Sequence, residues 1–327
     1  MSQHTGHSGT NEAEPETPNL DFQGTTPYDD YVRASVLTHL QHPLSDDPGE
    51  MVFLVTSQVM ELWFTVITHE WQTAADALRR DDVPTALAAL KRSTYELESL
   101  NASWKPLAHM TPGEFNAYRG ALGEGSGFQS AMFRRLEFLL GDKSASMLVP
   151  HRGAPREYAE LEKALAEPSL YDEVVRYLAR QGFDIPDEVL HRDVTQRYEA
   201  HPAVERAWQR VYSGAGAPTA ADGDAAGAAD AADPKARPRK GDQSPEAARA
   251  VAVAAAVGGA GGGLVALGEA LTEVAELVWR WRNDHLVATR RAMGAKTGTG
   301  GSAGVAWLEK RAGKQVFPEL WTARSYV

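Results

Sequence analysis

Residues 50–80 constrain the fold more than any other stretch of this chain. They open with Met51-Val-Phe-Leu-Val55 and continue through Met60-Glu-Leu-Trp-Phe64-Thr-Val-Ile67 with no proline or glycine. Apolar side chains fall on nearly every side of the first half, so a helix there is expected to be buried at the centre of a core. A helix that long has to be covered by other elements, and the neighbouring sequence supplies helices. Residues 85–104, after Pro84, form a second, amphipathic pattern. Thr111-Pro112-Gly-Glu114 is a helix start, with Thr111 as N-cap, Pro112 in the first position and Glu114 closing a capping box. A further helix spans about 128–140 and Gly141 ends it. Shorter helices are expected over 155–166, 169–181, 186–199 and 202–212. No stretch carries a strong strand pattern, so the fold class is all-α.

Composition changes at residue 213. Residues 213–263 are mainly Ala, Gly, Asp and Pro, which bury too little to join a core. A long helix resumes near Leu264 and runs to about Met293. The expected organisation is a disordered tail over 1–24, one helical domain built from 25–212 and 264–327, and a flexible insertion over 213–263. Residues 251–268 are weakly apolar but mostly Ala and Gly, so no membrane helix is expected there. The polar N-terminus lacks the apolar segment of a secretion signal, and the expected location is the cytoplasm. The formal charge of −11 argues against a nucleic-acid partner. The chain has no cysteine, which excludes disulfides, thiolate haem ligation, covalent haem attachment through CxxCH, and Cys-based zinc sites.

Several residues could carry chemistry. His285 lies late in the C-terminal helix, four residues after Trp281. By itself it could be a satisfied core histidine, an exposed one or a metal ligand. His69-Glu70 does not continue into a zinc motif, because position 73 is Thr. Phe53 and Ser57 share a helix face, as do Phe115 and Arg119, with Tyr118 beside them. Arg119 could grip a carboxylate through two parallel hydrogen bonds, snorkel to solvent, or pair with Glu114 or Glu124. Ser126, in a glycine-rich turn, and Thr299, in Gly298-Thr-Gly-Gly-Ser302, offer hydroxyls; both loops are also ordinary connections.

Taken together, these stretches resemble the haem-dependent tryptophan 2,3-dioxygenase superfamily. The similar segments are Tyr28-Asp-Asp-Tyr31-Val32, Glu50-Met-Val-Phe53-Leu-Val-Thr-Ser57-Gln58 and Glu61-Leu-Trp63-Phe64. They continue with Phe115-Asn-Ala-Tyr118-Arg119, Ser126-Gly-Phe-Gln-Ser130, Phe133-Arg134, Trp281-Arg-Asn-Asp-His285, Lys296-Thr-Gly-Thr-Gly-Gly-Ser302 and Val316-Phe-Pro-Glu-Leu320. They occur in family order. The resemblance implies a single helical-bundle haem domain of the tryptophan/indoleamine dioxygenase type, interrupted by the insertion. It further implies ferrous haem b held by His285, O2 as co-substrate and an indole amino acid as substrate. Arg119 and Thr299 then sit where the substrate's amino-acid end is held, Ser126 faces haem and substrate, and Phe53 forms an indole wall. The family's homotetramer would bring Tyr28 and Val32 to a neighbouring subunit's pocket.

Two positions depart from the family pattern. Its bacterial members carry a distal histidine where this chain has Ser57, and usually a tyrosine where it has Phe115. Two large polar groups are lost, with Tyr118 the candidate to return one. This pattern resembles an oxindole-forming branch that acts on β-methylated tryptophan in natural-product assembly. The expectation is therefore single-oxygen insertion giving a 2-oxindole, with Ser57 as the catalytic departure and an external reductant such as ascorbate. A tryptophan 2,3-dioxygenase forming N-formylkynurenine is the alternative, and a non-catalytic haem or gas sensor the remote one.

Overall fold

A computed structural model describes residues 20–218, 260–296, 298 and 304–327. The chain divides into two units, Met1–His42 and Pro43–Val327. In the first, α1 (Pro27–Val32) and α2 (Ala34–Leu37) are short, and Asp29 binds the two together by accepting from the Ser35 backbone N–H at 2.7 Å. Tyr28 is exposed and Val32 is half-buried in this unit.

The second unit is built on three long helices: α3 (Pro48–Arg79), α4 (Val83–Ala102) and α12, which spans Ala260–Met293. Between α3 and α12 lie α5 (Lys105–Ala108), α6 (Pro112–Arg119), α7 (Ala131–Leu139), α8 (Pro155–Ala166), α9 (Leu170–Arg180), α10 (Asp187–Leu190) and α11 (Pro202–Tyr212). After it come α13 (Val305–Ala312) and α14 (Pro318–Ala323). No strand occurs among the described residues, and the fold is all-α.

The turn between α3 and α4 is three residues long, so the two helices pack as a hairpin. Asp81 takes a left-handed conformation there (φ 60°), and its side chain accepts from Arg180 Nε at 2.9 Å. The core runs along the second half of α3, where Phe64, Ile67, Trp71, Ala74 and Leu78 are buried against Leu90 and Leu97 of α4 and Leu267, Leu271 and Val274 of α12. Trp71 is fully buried yet satisfied, because its indole N–H donates to Ser93 Oγ at 3.0 Å. Asn101 donates to the Leu277 carbonyl at 3.2 Å and ties α4 to α12.

The expected helix over 50–80 forms, but its first half is the less buried one. Met51, Val52, Val55, Val59 and Leu62 are each 37–55% exposed. An all-round apolar surface shows that a helix needs covering, not what covers it, and the second half is the better covered, while in the first half Phe53 still packs on Phe115 and Tyr118. By length and apolarity α3 could cross a membrane; here it is the central helix of the core. Thr111 and Glu114 form the expected capping box, with the Thr111 backbone N–H donating to Glu114 at 2.7 Å. Gly141 ends α7 at φ +84°, and an added Cβ there would lie 2.6 Å from the Tyr198 ring.

The helix expected over 186–199 stops at Leu190. Asp193 captures both the backbone N–H (2.9 Å) and hydroxyl (2.7 Å) of Thr195, a local turn that competes with helix. Arg192 reaches Asp172 at 2.7 Å, and Tyr198 stacks on Tyr171 at 3.6 Å. The expected tail over 1–24 and insertion over 213–263 lie mostly outside the described residues. So does the first half of the 251–268 stretch, while residues from Ala260 onward belong to α12, which starts four residues earlier than expected.

Candidate active site

One large cavity, about 1570 Å³ with its open mouth included, lies between α3 and α12. The helical repeat selects what faces it. On α3 the lining residues Phe53, Ser57, Met60, Glu61 and Phe64 form one stripe, and on α12 Trp281, Arg282, His285, Ala288, Thr289 and Ala292 form another. Phe115 of α6 closes one end. Trp307, Leu308 and Arg311 of α13 and the Gly125–Ser130 region close the side. Most of this wall is aromatic or aliphatic.

His285 lines it, half-buried. Its imidazole stacks on Trp104 (centroids 4.6 Å apart, planes 19° apart) and lies 5.6 Å from Trp281. Burial pushes its pKa down to about 4. The ring is therefore neutral at physiological pH, with a nitrogen lone pair available to a metal. Among the described residues no group of three or more His, Asp or Glu side chains is placed to hold a metal ion.

Ser57 lines the cavity, but its hydroxyl donates to the Phe53 carbonyl at 2.8 Å. That leaves its oxygen able only to accept. Phe53 meets Phe115 at 6.2 Å and Tyr118 at 5.8 Å. Tyr118 is fully buried behind this wall and donates its hydroxyl to Met110 Sδ at 2.9 Å. Burial, with Asp47, Glu50 and Glu114 nearby, pushes its pKa up to about 12. Ser126 lines the cavity and caps a short 3-10 turn, accepting from the Phe128 N–H at 3.4 Å.

The structure thus brings Phe53, Ser57, Phe115, Ser126 and His285 to one cavity. Tyr118 stands directly behind it. Arg119, half-buried at the end of α6, is not among the lining residues. Thr299 lies outside the described residues. Tyr28 and Val32 belong to the separate N-terminal unit.

Sequence reasoning passed over a buried charge cluster in the cavity wall. Glu137 pairs with Arg134 and Arg311, and Arg282 approaches it at 4.0 Å. Asp142 pairs with Arg311 at 2.9 Å, Lys314 at 3.1 Å and Arg282 at 3.4 Å. Four cations thus share two carboxylates, and Arg282, Arg311 and Glu137 line the cavity. Burial pulls Arg134 and Arg311 down to about 10. Arg282 was legible, since it lies three residues before His285 on one helix face. Arg311 carried no local signal. Trp104, just beyond the end of α4, had none either.

These features fit a haem. A neutral imidazole can ligate its iron, aromatic walls suit a flat macrocycle, and surplus buried cations suit its two carboxylates. One histidine and a broad apolar cavity fit the haem-protein class, and among the described residues the ligand set of a zinc or multi-histidine iron centre is not assembled.

Comparison with known proteins is in keeping with that class. The family model for tryptophan 2,3-dioxygenase matches residues 13–214 and 260–327. Tryptophan 2,3-dioxygenase 1 of Ralstonia nicotianae is 35% identical over 306 residues, spanning 94% of this chain and 90% of the relative. The tryptophan 2,3-dioxygenase of Burkholderia cenocepacia is 37% identical over 94% of this chain and 85% of its own length. That of Bordetella pertussis is 36% identical over 95% and 94%. The chain belongs to the tryptophan 2,3-dioxygenase family. It is a haem-dependent tryptophan oxygenase that uses O2.

Proposed function

We propose that this enzyme is a tryptophan 2,3-dioxygenase, opening the indole ring of L-tryptophan with both atoms of O2 to give N-formylkynurenine. The observation that carries this is a neutral, unprotonated His285 in an aromatic cavity, opposite the Phe53–Ser57 face of α3. The relatives all bear the dioxygenase name. The single-oxygen route favoured by Ser57 and Phe115 alone has no comparable support and becomes the second outcome of the test.

His285 would ligate the haem iron, and haem would supply O2 activation. Arg282 and Arg311 would face its carboxylates. Phe53 and Phe115 would hold the indole as flat walls, with Ser57 and Ser126 as small polar groups beside it. Arg119 would take the substrate carboxylate by swinging inward from the end of α6, and Thr299 would hold the amino-acid end with it. Fixing that end sets which indole carbon meets the oxygen. We further propose a cytoplasmic homotetramer. The exposed stripe of Met51, Val52, Val55, Val59 and Leu62 gives it an apolar face to bury, and Tyr28 and Val32 would act at a neighbour's pocket. The domain is taken as 25–212 plus 264–327, with 213–263 as an insertion.

Turnover of the ferrous protein under 18O2 with L-tryptophan tests the reading. The expected product carries two labelled oxygens, and the rate is indifferent to ascorbate because dioxygenation consumes no external electrons. One labelled oxygen, with a rate that depends on reductant, replaces it with the 2-oxindole route. The same assay with β-methyl-L-tryptophan reports whether that analogue is the better substrate.

A further inference from the structure

Six carboxyl or hydroxyl side chains line the cavity among the described residues, and three of them, Glu137, Ser57 and Glu61, lie on or against α3. Glu137 is paired with Arg134 and Arg311. The Ser57 hydroxyl donates a hydrogen bond to the Phe53 carbonyl. The third, Glu61, sits one helical turn beyond Ser57 on the same stripe. It takes a hydrogen bond from Ser130, and no cation pairs with it among the described residues. Desolvation raises its pKa, the mark of a carboxyl facing a dry wall.

Helical side chains lean toward the N-terminus and cover the preceding turn. A lean of that kind would carry the carboxyl of Glu61 toward the cavity surface that Ser57 also lines. Resting on the assignment of an indole amino acid as substrate, we propose that Glu61 is the hydrogen-bond acceptor for the substrate's indole N–H. It would act as a positioning residue: the N–H donates to the carboxylate, Ser130 holds the other side of that carboxylate, and the ring is turned so that its C2–C3 edge is presented to the oxygen. No proton or electron is transferred in this role.

The test compares L-tryptophan with 1-methyl-L-tryptophan, which lacks the N–H, by spectral titration of ferric, haem-loaded protein. A charge-assisted hydrogen bond is worth about 1.5–3 kcal/mol, so the wild type should bind tryptophan at least about tenfold tighter. Glu61→Met keeps the length of the side chain and its steric bulk but removes the acceptor. It should bring the ratio to within about twofold of one at unchanged haem content. Glu61→Gln keeps a neutral acceptor and should lower the ratio by at least about threefold. If Glu61→Met is not soluble, Glu61→Gln decides. A wild type that does not discriminate overturns the proposal, as does a ratio unchanged in these variants or one abolished by Ser57→Ala alone. The titration needs no turnover, so a failed dioxygenase assignment shows separately, as missing N-formylkynurenine.

Discussion

Replacing His285 with alanine should strip the protein of haem. Among the described residues the imidazole is the one histidine lining the cavity, and burial pushes its pKa down to about 4. Changing a residue that merely orients a metal ligand typically costs ten- to a hundredfold in metal affinity, so loss of the ligand itself should cost more than about a hundredfold. Purified His285→Ala should carry little haem and show no histidine-type Soret band, while its far-ultraviolet circular dichroism stays helical. Most of the core that holds α3, α4 and α12 together lies away from this ring. Added imidazole should restore part of the spectrum by filling the space beside Trp104. A variant with full haem content and an unchanged band would remove His285 as the ligand.

The second large effect is expected at Glu137. This carboxylate is 1% exposed and is shared by Arg134 and Arg311, with Arg282 at 4.0 Å. Glu137→Ala would leave four buried or partly buried cations with Asp142 alone. Removing one partner of a buried charge network costs about 3–5 kcal/mol, because the desolvated charges left behind have no compensation. Urea unfolding should show that loss. The same substitution at Glu167, whose pair with Lys163 is solvent-exposed, should stay within about 0.5 kcal/mol. Equal effects at the two sites would mean that the buried cluster is energetically no different from a surface pair.

The cluster also shows where a linear reading stops. Glu137, Asp142, Arg282 and Arg311 are separated by up to 174 positions in the chain, counted from 137 to 311, and each is an ordinary charged residue in its own segment. Their meeting depends on α7, α12 and α13 packing together. Trp104 is a similar case, since its stacking on His285 needs α4 and α12 side by side. Arg119 runs the other way. Its place at the end of α6 was legible, but that place leaves it outside the cavity lining.

Local chemistry determined much of this protein directly. Thr111, Pro112 and Glu114 set the start of α6, because a cap satisfies N–H groups within four residues of itself. The apolar period determined that α3 and α12 are helices, and the same period placed Phe53 with Ser57 and Trp281 with His285 on shared faces. Tertiary structure alone decided which half of α3 is the better covered, because burial depends on partners far away in the chain. Beyond Leu190 local and tertiary contacts act together: Asp193 captures Thr195, while Arg192 reaches Asp172 and Tyr198 stacks on Tyr171. Tertiary structure also decided what the cavity residues can do. The Ser57 hydroxyl donates to the Phe53 carbonyl, the Tyr118 hydroxyl donates to Met110, and Glu61 accepts from Ser130 with no cation paired to it among the described residues. A residue's type states which hydrogen bonds it can make, and only the folded surroundings determine which of them remain for a ligand.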